Sequence, residues 1–227
     1  GAGKFMKTYH GPEFRLSARY AFTDNFSVKA GFNSMRQYIH KLSNTVIMSP
    51  TDTWKLSDVN IKPQRGWQAA AGLYLNSPSG IWEYSVEGYY KRMSDYLDYR
   101  GGAKLLMNHH IETDVINTQG HAYGVELQVK KQVGKLNGWM SYTYSRTFLR
   151  QNDKRIEKPV NNGDWYPTEY DKPHDFKFVG NYKFTHRYSM SINVDYSTGR
   201  PTTIPAGQYY DESTQSMRVY YTERNSY

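Results

Sequence analysis

The sequence contains no cysteine, which excludes a disulfide scaffold, a thiolate zinc site and a catalytic thiol. It contains no apolar run near the roughly 20 residues that a spanning helix needs. No secretory leader opens it; if the protein is exported, the start of the gene product is expected to precede residue 1. Apolar residues are scarce, with a hydrophobic fraction of 38% and a mean hydropathy of −0.82 over 227 residues. A soluble protein this polar would have a thin core. No Gly-x-Ser-x-Gly elbow is present, and Gly1-Ala2-Gly3-Lys4 lacks the remainder of a phosphate loop. Basic residues outnumber acidic ones, 29 to 21. They are scattered through the chain, and no helix-turn-helix, finger or RNA-platform motif accompanies them, which argues against nucleic acid as a partner.

Aromatic residues are abundant, at 16%, and 22 of them are tyrosine. Tyrosine suits places with one apolar side and one wet end, such as membrane interfaces and ligand-binding surfaces. The chain also alternates. Phe14, Leu16, Ala18, Tyr20 and Phe22 share one face of a strand whose other face carries Arg15, Ser17 and Arg19. The same period of two recurs over seven further segments. They are headed by Phe26, Trp67, Trp82, Tyr123, Met140, Phe176 and Met190, and a ninth strand is possible at Met217 to Thr222.

The connections fall into two kinds. Short links occur at Thr23-Asp24-Asn25, 76–80, 131–135 and Thr185-His186-Arg187, whereas long ones run roughly over 40–65, 100–120, 149–174 and 198–217. Tight turns on one rim and long loops on the other are the signature of a transmembrane β-barrel, with the short turns periplasmic and the long loops extracellular. Aromatics beside the short turns (Phe22, Phe26, Trp82, Phe184 and Tyr188) suggest one interfacial girdle, and Tyr89, Tyr90, Tyr144 and Tyr196 a second. An antiparallel soluble sheet with one wet face alternates in the same way, but the loop asymmetry and the girdles favour the membrane. The first strand descends into a short turn, so the chain is expected to be cut at outer loops of a larger barrel, since lipid tolerates no open sheet edge.

Several local series carry a family resemblance. They are Ser49-Pro50-Thr51-Asp52-Thr53-Trp54, Ile61-Lys62-Pro63-Gln64, Ala122-Tyr123-Gly124-Val125-Glu126-Leu127, Gly138 to Thr147, Tyr170-Asp171-Lys172-Pro173-His174-Asp175 and Tyr196 to Pro201. In order and spacing they resemble the late barrel strands of TonB-dependent outer-membrane receptors, of the type with an N-terminal carboxypeptidase-like regulatory domain. The resemblance implies a 22-stranded barrel with an internal plug, driven by TonB, that imports a siderophore, haem, cobalamin or an oligosaccharide. The chain departs from the full pattern: no plug, TonB box or terminal strand ending in Phe is recognisable. Residues 1–227 are thus expected to be a partial barrel domain, all-β and antiparallel, of about eight strands.

Candidate cargo contacts lie in the long loops. Asp52 and Trp54 belong to one. Trp165, Tyr166, Tyr170, Asp171 and His174 belong to another, where aromatic rings suit stacking on sugar or catecholate rings and the acids and His accept hydrogen bonds. A structural role is the stronger reading of these residues: Pro167 and Pro173 stiffen that loop, Asp171 suits a turn, and Trp54 suits a buried loop anchor. His109 and His110, with Glu112 and Asp114 nearby, lack a fixed ligand spacing and read as a solvated loop, not a metal site. No cofactor is indicated. Expected partners are outer-membrane lipid and lipopolysaccharide, a small-molecule or oligosaccharide cargo, TonB through the missing N-terminal part, and a surface lipoprotein. The location follows: the outer membrane of a Gram-negative bacterium. Two rivals remain, a soluble β-sandwich or lectin-like binding module, and an outer-membrane enzyme using carboxylates such as Glu83 and Glu87, which would need convergence from separate strands.

Overall fold

The computed structural model describes residues 8–42, 53–57, 61–99, 115–151, 159–213 and 215–227. Eight strands form the main sheet: β1 (Phe14–Thr23), β2 (Phe26–Gln37), β5 (Gln64–Asn76), β6 (Trp82–Tyr99), β7 (Val115–Lys131), β8 (Leu136–Gln151), β10 (His174–Lys183) and β11 (Ser189–Ser197). They pair antiparallel in that order, and the two-residue strand β9 (Tyr166–Pro167) adds to β8. Two small ribbons lie in the long connections, β3 (Ile39–Leu42) with β4 (Thr53–Leu56) and β12 (Pro205–Asp211) with β13 (Ser216–Tyr221).

All eight expected strands are present. The segment at Met217 to Thr222 is extended too, but it pairs with β12 and does not lengthen the wall. Strands β6, β7 and β8 run well past the last alternating residues. Between Met93 and Tyr96 the register of β6 shifts by a bulge, with Asp95 at φ 57° and its carboxylate bonded by Arg65 Nη2 at 2.8 Å. This bulge marks where the flat wall ends and the outer extension begins.

Local chemistry fixes the short turns. Thr23 Oγ1 accepts from the Asn25 and Phe26 N–H groups at 3.3 and 3.0 Å. Thr185 Oγ1 does the same for Arg187 and Tyr188, both at 3.2 Å. These hydroxyl-closed turns hold each strand to its neighbour and so set the register. Gly80, at φ +67°, closes the five-residue link by donating to Ser77 O at 2.8 Å.

The register aligns the apolar faces across all eight strands. One continuous row reads Tyr20, Val28, Leu73, Val86, Leu127, Tyr142, Phe176 and Tyr196. The row below it reads Phe26, Leu75, Tyr84, Val129, Met140, Phe178 and Val194. Nothing among the described residues covers this face. Leu16 is 65% exposed, Leu73 47%, Val86 41%, Leu127 44% and Ile192 46%. A sandwich would pack these rows against a second sheet; here they form one unbroken apolar surface. The opposite face carries Arg19, Lys29, Glu87, Glu126, Thr143 and Asp175 in another aligned row.

Rings stack beside the short turns, as in Phe22–Phe26 and Trp82–Tyr84 at 5.5 and 6.2 Å between centroids. Tyr90, Tyr144 and Tyr196 lie on the apolar face toward the other end, each eight residues from the outward residue beside its short turn, Trp82, Leu136 and Tyr188. Tyr89 does not join that belt. Strand alternation places it on the polar face beside Glu87 and Lys91.

Candidate functional site

Among the described residues most buried side chains lie at the long-loop end, Ser27 beside a short turn being an exception. Ile116 is 1% exposed, Tyr166 2%, Asp171 2% and Leu149 4%. The segment 159–173, between β8 and β10 in sequence, makes a tight turn in which Asn161 and Asn162 adopt positive φ (47° and 55°), and pairs with β8 through Tyr166 and Pro167. Asparagine accepts this left-handed backbone because its side chain bonds locally. The Asn161 side chain itself reaches a distant segment: its Nδ2 donates to Arg224 O (3.1 Å) and its Oδ1 accepts from Arg224 N (2.8 Å).

Three parts of the chain meet at Asp98. Tyr166 Oη donates to Asp98 Oδ2 at 2.6 Å, and Arg224 Nη1 donates to the same oxygen at 2.7 Å. Asn225 Nδ2 adds a bond to Pro167 O at 2.8 Å. The extension of β6, the β8–β10 connection and the segment after β13 are thereby tied into one clasp. Burial, with Asp98 beside it, pushes the Tyr166 phenol far above its usual pKa, although Arg224 opposes the shift. Burial also raises the Tyr96 phenol, to about 12.

Asp171 holds the base of the clasp. Its Oδ2 accepts from Arg146 Nε at 2.9 Å and its Oδ1 from the Thr147 N–H at 2.7 Å. Strand β10 begins only at His174, so this stretch of the β8 edge has no strand partner, and the carboxylate satisfies a donor that a strand would otherwise take.

Under the clasp, on the polar face, lies a chamber of about 430 Å³ lined by Gln68, Tyr89, Lys91, Tyr96, Thr168 and Tyr170, among others. Gln68, Lys91, Ala122 and Thr147 lie in one register row, so four strands supply its floor. Tyr170, 56% exposed, forms part of its wall. The Thr168 hydroxyl is buried and makes no hydrogen bond among the described residues. A second cavity of about 450 Å³ sits on the same face by the short turns, lined by Arg19, Lys29, Tyr74 and Glu83 among others.

The expected contacts therefore divide. Tyr170 faces the chamber, while Tyr166 and Asp171 are buried supports of its roof. Trp165 is on the apolar side, edge-on to His121 at 4.3 Å. His174 is there too, its Nδ1 2.8 Å from Tyr142 Oη. Trp54 stands 60% exposed on the β3–β4 ribbon. Asp52, His109, His110, Glu112 and Asp114 lie outside the described residues. Residue patterns missed Asp98 and Arg224, which are 126 positions apart. They also missed His40, 3% exposed in the β3–β4 ribbon, where burial lowers its pKa and its Nε2 lies 3.0 Å from Ser57 Oγ.

A single apolar-faced sheet with tight turns at one end and folded loops at the other is what a barrel wall requires. The family model described as TonB dependent receptor-like, beta-barrel matches residues 3–227. The chain belongs to the TonB-dependent receptor β-barrel family. Three solved structures share the fold. FpvA of P. aeruginosa with a heterologous ferric pyoverdine is 13% identical, TM-score 0.53, over 92% of this chain and 25% of that one. The FpvAI–pyocin S2 complex is 10% identical, TM-score 0.54, over 93% and 26%. The ferripyoverdine receptor of the Pseudomonas aeruginosa outer membrane, bound to ferripyoverdine, is 12% identical, TM-score 0.51, over 92% and 25%. The chain thus spans about a quarter of the length of these receptors. No curated protein matches it. Among the described residues no helix is long and apolar enough to cross a membrane, which says nothing of crossing by strands.

Proposed function

We propose that residues 1–227 form part of the barrel wall and the surface loops of an outer-membrane receptor that takes up a scarce nutrient with energy from TonB. The observation that carries this reading is the pairing of an uncovered apolar face with a loop-roofed chamber on the opposite face at one rim. The apolar face meets lipid in a Gram-negative outer membrane, the polar face lines the lumen, and the clasped loops meet cargo. The plug, the TonB contact and the remaining strands belong to other parts of the same polypeptide. Receptor action, not catalysis, fits a chamber whose polar groups are hydroxyls, one amide and one lysine.

Cargo, in this reading, touches Tyr170, Lys91 and Gln68 in the chamber, with Trp54 and its sequence neighbour Asp52 meeting it further out. Tyr166 and Asp171 hold the roof. Trp165 and His174, on the lipid side, do not contact cargo. Ferric siderophores come first among cargoes because the fold neighbours include receptors solved with ferric pyoverdines; haem, cobalamin and oligosaccharides follow. A surface lipoprotein would dock on the exposed loops.

The test uses the full-length receptor in a strain deleted for it. One cargo of a panel (ferric siderophores, haem, cobalamin, oligosaccharides) is expected to enter only when receptor and TonB are both present. Tyr170→Ala should lower its affinity about tenfold, roughly the 1.4 kcal/mol of one ring contact, at unchanged surface level. Uptake of every panel member without the receptor would overturn the proposal.

A further inference from the structure

Charges on the polar face are sorted by strand. The acids of the wall on β6, β7 and β10 have partners on that face. Glu83 lies 3.5 Å from Lys130 Nζ, and Glu87 accepts from Tyr74 Oη at 2.7 Å. Glu126 accepts from Ser141 Oγ at 3.4 Å, and Asp175 lies 3.8 Å from Lys177 Nζ. Four cations on β1, β2 and β6 differ: Arg15, Arg19, Lys29 and Lys91 make no ion pair among the described residues. Arg19 Nη2 donates to the Ser27 hydroxyl, at 3.3 Å, and meets no carboxylate among them.

The register puts these cations at two levels. Arg15, Asn33, Gln68 and Lys91 lie opposite one another across β1, β2, β5 and β6. This is the floor row of the chamber, continued by two strands. Two cations thus bracket two carboxamides, with backbones about 14 Å apart at three strand spacings of about 4.8 Å. Four residues nearer the short turns, about 13 Å along the strand, Arg19 stands directly opposite Lys29, and both line the second cavity. Like charges directly opposite each other weaken a strand pair; an anion between them turns that repulsion into attraction.

The surroundings of Lys91 are neutral. Among the described residues that line the chamber are tyrosines, threonines and an amide, and no carboxylate. Lys91 itself is half-buried. A neutral cargo that filled the chamber would strip water from the ammonium and give it no counter-charge. A cargo with a negative group would gain a charge-assisted bond there. Cations on the wall of a lumen enclosed by low-dielectric material also concentrate anions inside it.

We propose that the cargo is an anion with at least two negative groups, held by Lys91 and Arg15 at the outer row and then met by Arg19 and Lys29 on its way inward. This rests on the receptor reading of the chamber and narrows it to one charge class. Gln68 and Asn33, between the two outer cations, bond hydroxyl or amide groups that lie between the charges.

The experiment uses the full-length receptor in detergent, checked for folding by heat-modifiable migration. Its probes are matched pairs: an oligogalacturonide and its methyl ester, and a ferric siderophore with two carboxylates not bound to iron and its dimethyl ester. Binding is followed by quenching of tryptophan fluorescence. In one pair the free acid should bind at least tenfold more tightly than the ester, and the gap should narrow as salt rises. Lys91→Gln and Arg15→Gln should each lower the affinity for the acid about tenfold and leave that for the ester unchanged, while Lys91→Arg stays near wild type. Arg19→Gln with Lys29→Gln should leave surface affinity unchanged and slow cellular uptake at equal surface level. Lys177→Gln, the same charge change at a paired residue of the same face, should alter neither. Equal or tighter binding of the esters, binding of neither member of either pair, a Lys91→Gln variant that weakens acid and ester alike, or normal uptake by the Arg19 and Lys29 double variant would overturn the proposal. TonB-dependent entry of a neutral oligosaccharide through this receptor would overturn it too and leave the receptor reading intact. A receptor through which no cargo of the uptake panel enters would sink both.

Discussion

The wall and the clasp are built from the same kinds of residue and stabilised in opposite ways. In the wall, Leu16, Leu73, Val86 and Leu127 are each more than 40% exposed, and order comes from an unbroken ladder of backbone bonds. In the clasp, Tyr166, Asp171 and Thr118 are almost wholly buried, and order comes from side chains that satisfy one another. Each treatment follows from the solvent. Hydrocarbon rewards exposed apolar groups and tolerates no unpaired backbone; water at the loop rim exacts burial and satisfied polar contacts. The difference teaches that apolar exposure here marks position along the membrane normal, not instability.

Four comparisons test that division, the largest effect first. Val86 lies near mid-height between Leu73 and Leu127. Val86→Arg should destabilise the full-length barrel by about 2–4 kcal/mol, measured by urea unfolding in lipid vesicles, while Ser85→Arg on the polar face should change it by less than about 1 kcal/mol. Equal effects would erase the distinction between the faces. Asp171→Ala strands the Arg146 guanidinium and the Thr147 N–H, and should loosen the clasp by about 2 kcal/mol. Limited proteolysis is then expected to cut within 159–173 while the wall stays intact; cutting in the wall would show that the two regions are not separate.

Tyr166→Phe removes the bond to Asp98 and should weaken the clasp by about 1 kcal/mol. It also gives a pH test. The Tyr166 phenol is raised above its ordinary value of 10.0. The unfolded segment therefore loses its proton first, and the contribution of this group is full below pH 10 and declines as pH rises beyond it. Hydrogen exchange in the clasp should quicken above pH 10 in the wild type and much less in Tyr166→Phe. The smallest effect is expected at Glu83→Gln. Its contact with Lys130 is 3.5 Å long between half-exposed side chains, so stability should move by less than about 0.5 kcal/mol.

The wall was legible in the sequence because period two is local: Phe14, Leu16 and Ala18 declare a face without reference to anything distant. The short turns were legible for the same reason, through Asp24-Asn25 and Gly80. The extensions of β6, β7 and β8 were not, because Asp95 breaks the alternation at the bulge and residues 115–118 are buried on both faces. The ribbons β3–β4 and β12–β13 are short and flanked by polar chain, which masks their pairing. The clasp was least legible. Asp171 reads as a turn residue, and only the fold shows it serving the edge of β8. Nothing near Asp98 in the sequence announces Tyr166, 68 positions away.

On the wall strands ten residues separate the outward residue beside the short turn from the basic residue that ends the apolar face, as from Trp82 to Arg92 and from Leu136 to Arg146, and at a strand tilt of about 40° that interval acts as a gauge. It matches an apolar slab of about 25 Å, several ångströms thinner than the roughly 30 Å of an average bilayer. A barrel cut to this measure would have to squeeze a thicker membrane wherever it met one, at a fraction of a kcal/mol for each ångström. Strand length alone therefore biases where in the envelope this wall comes to rest, before any chaperone or receptor reads its address.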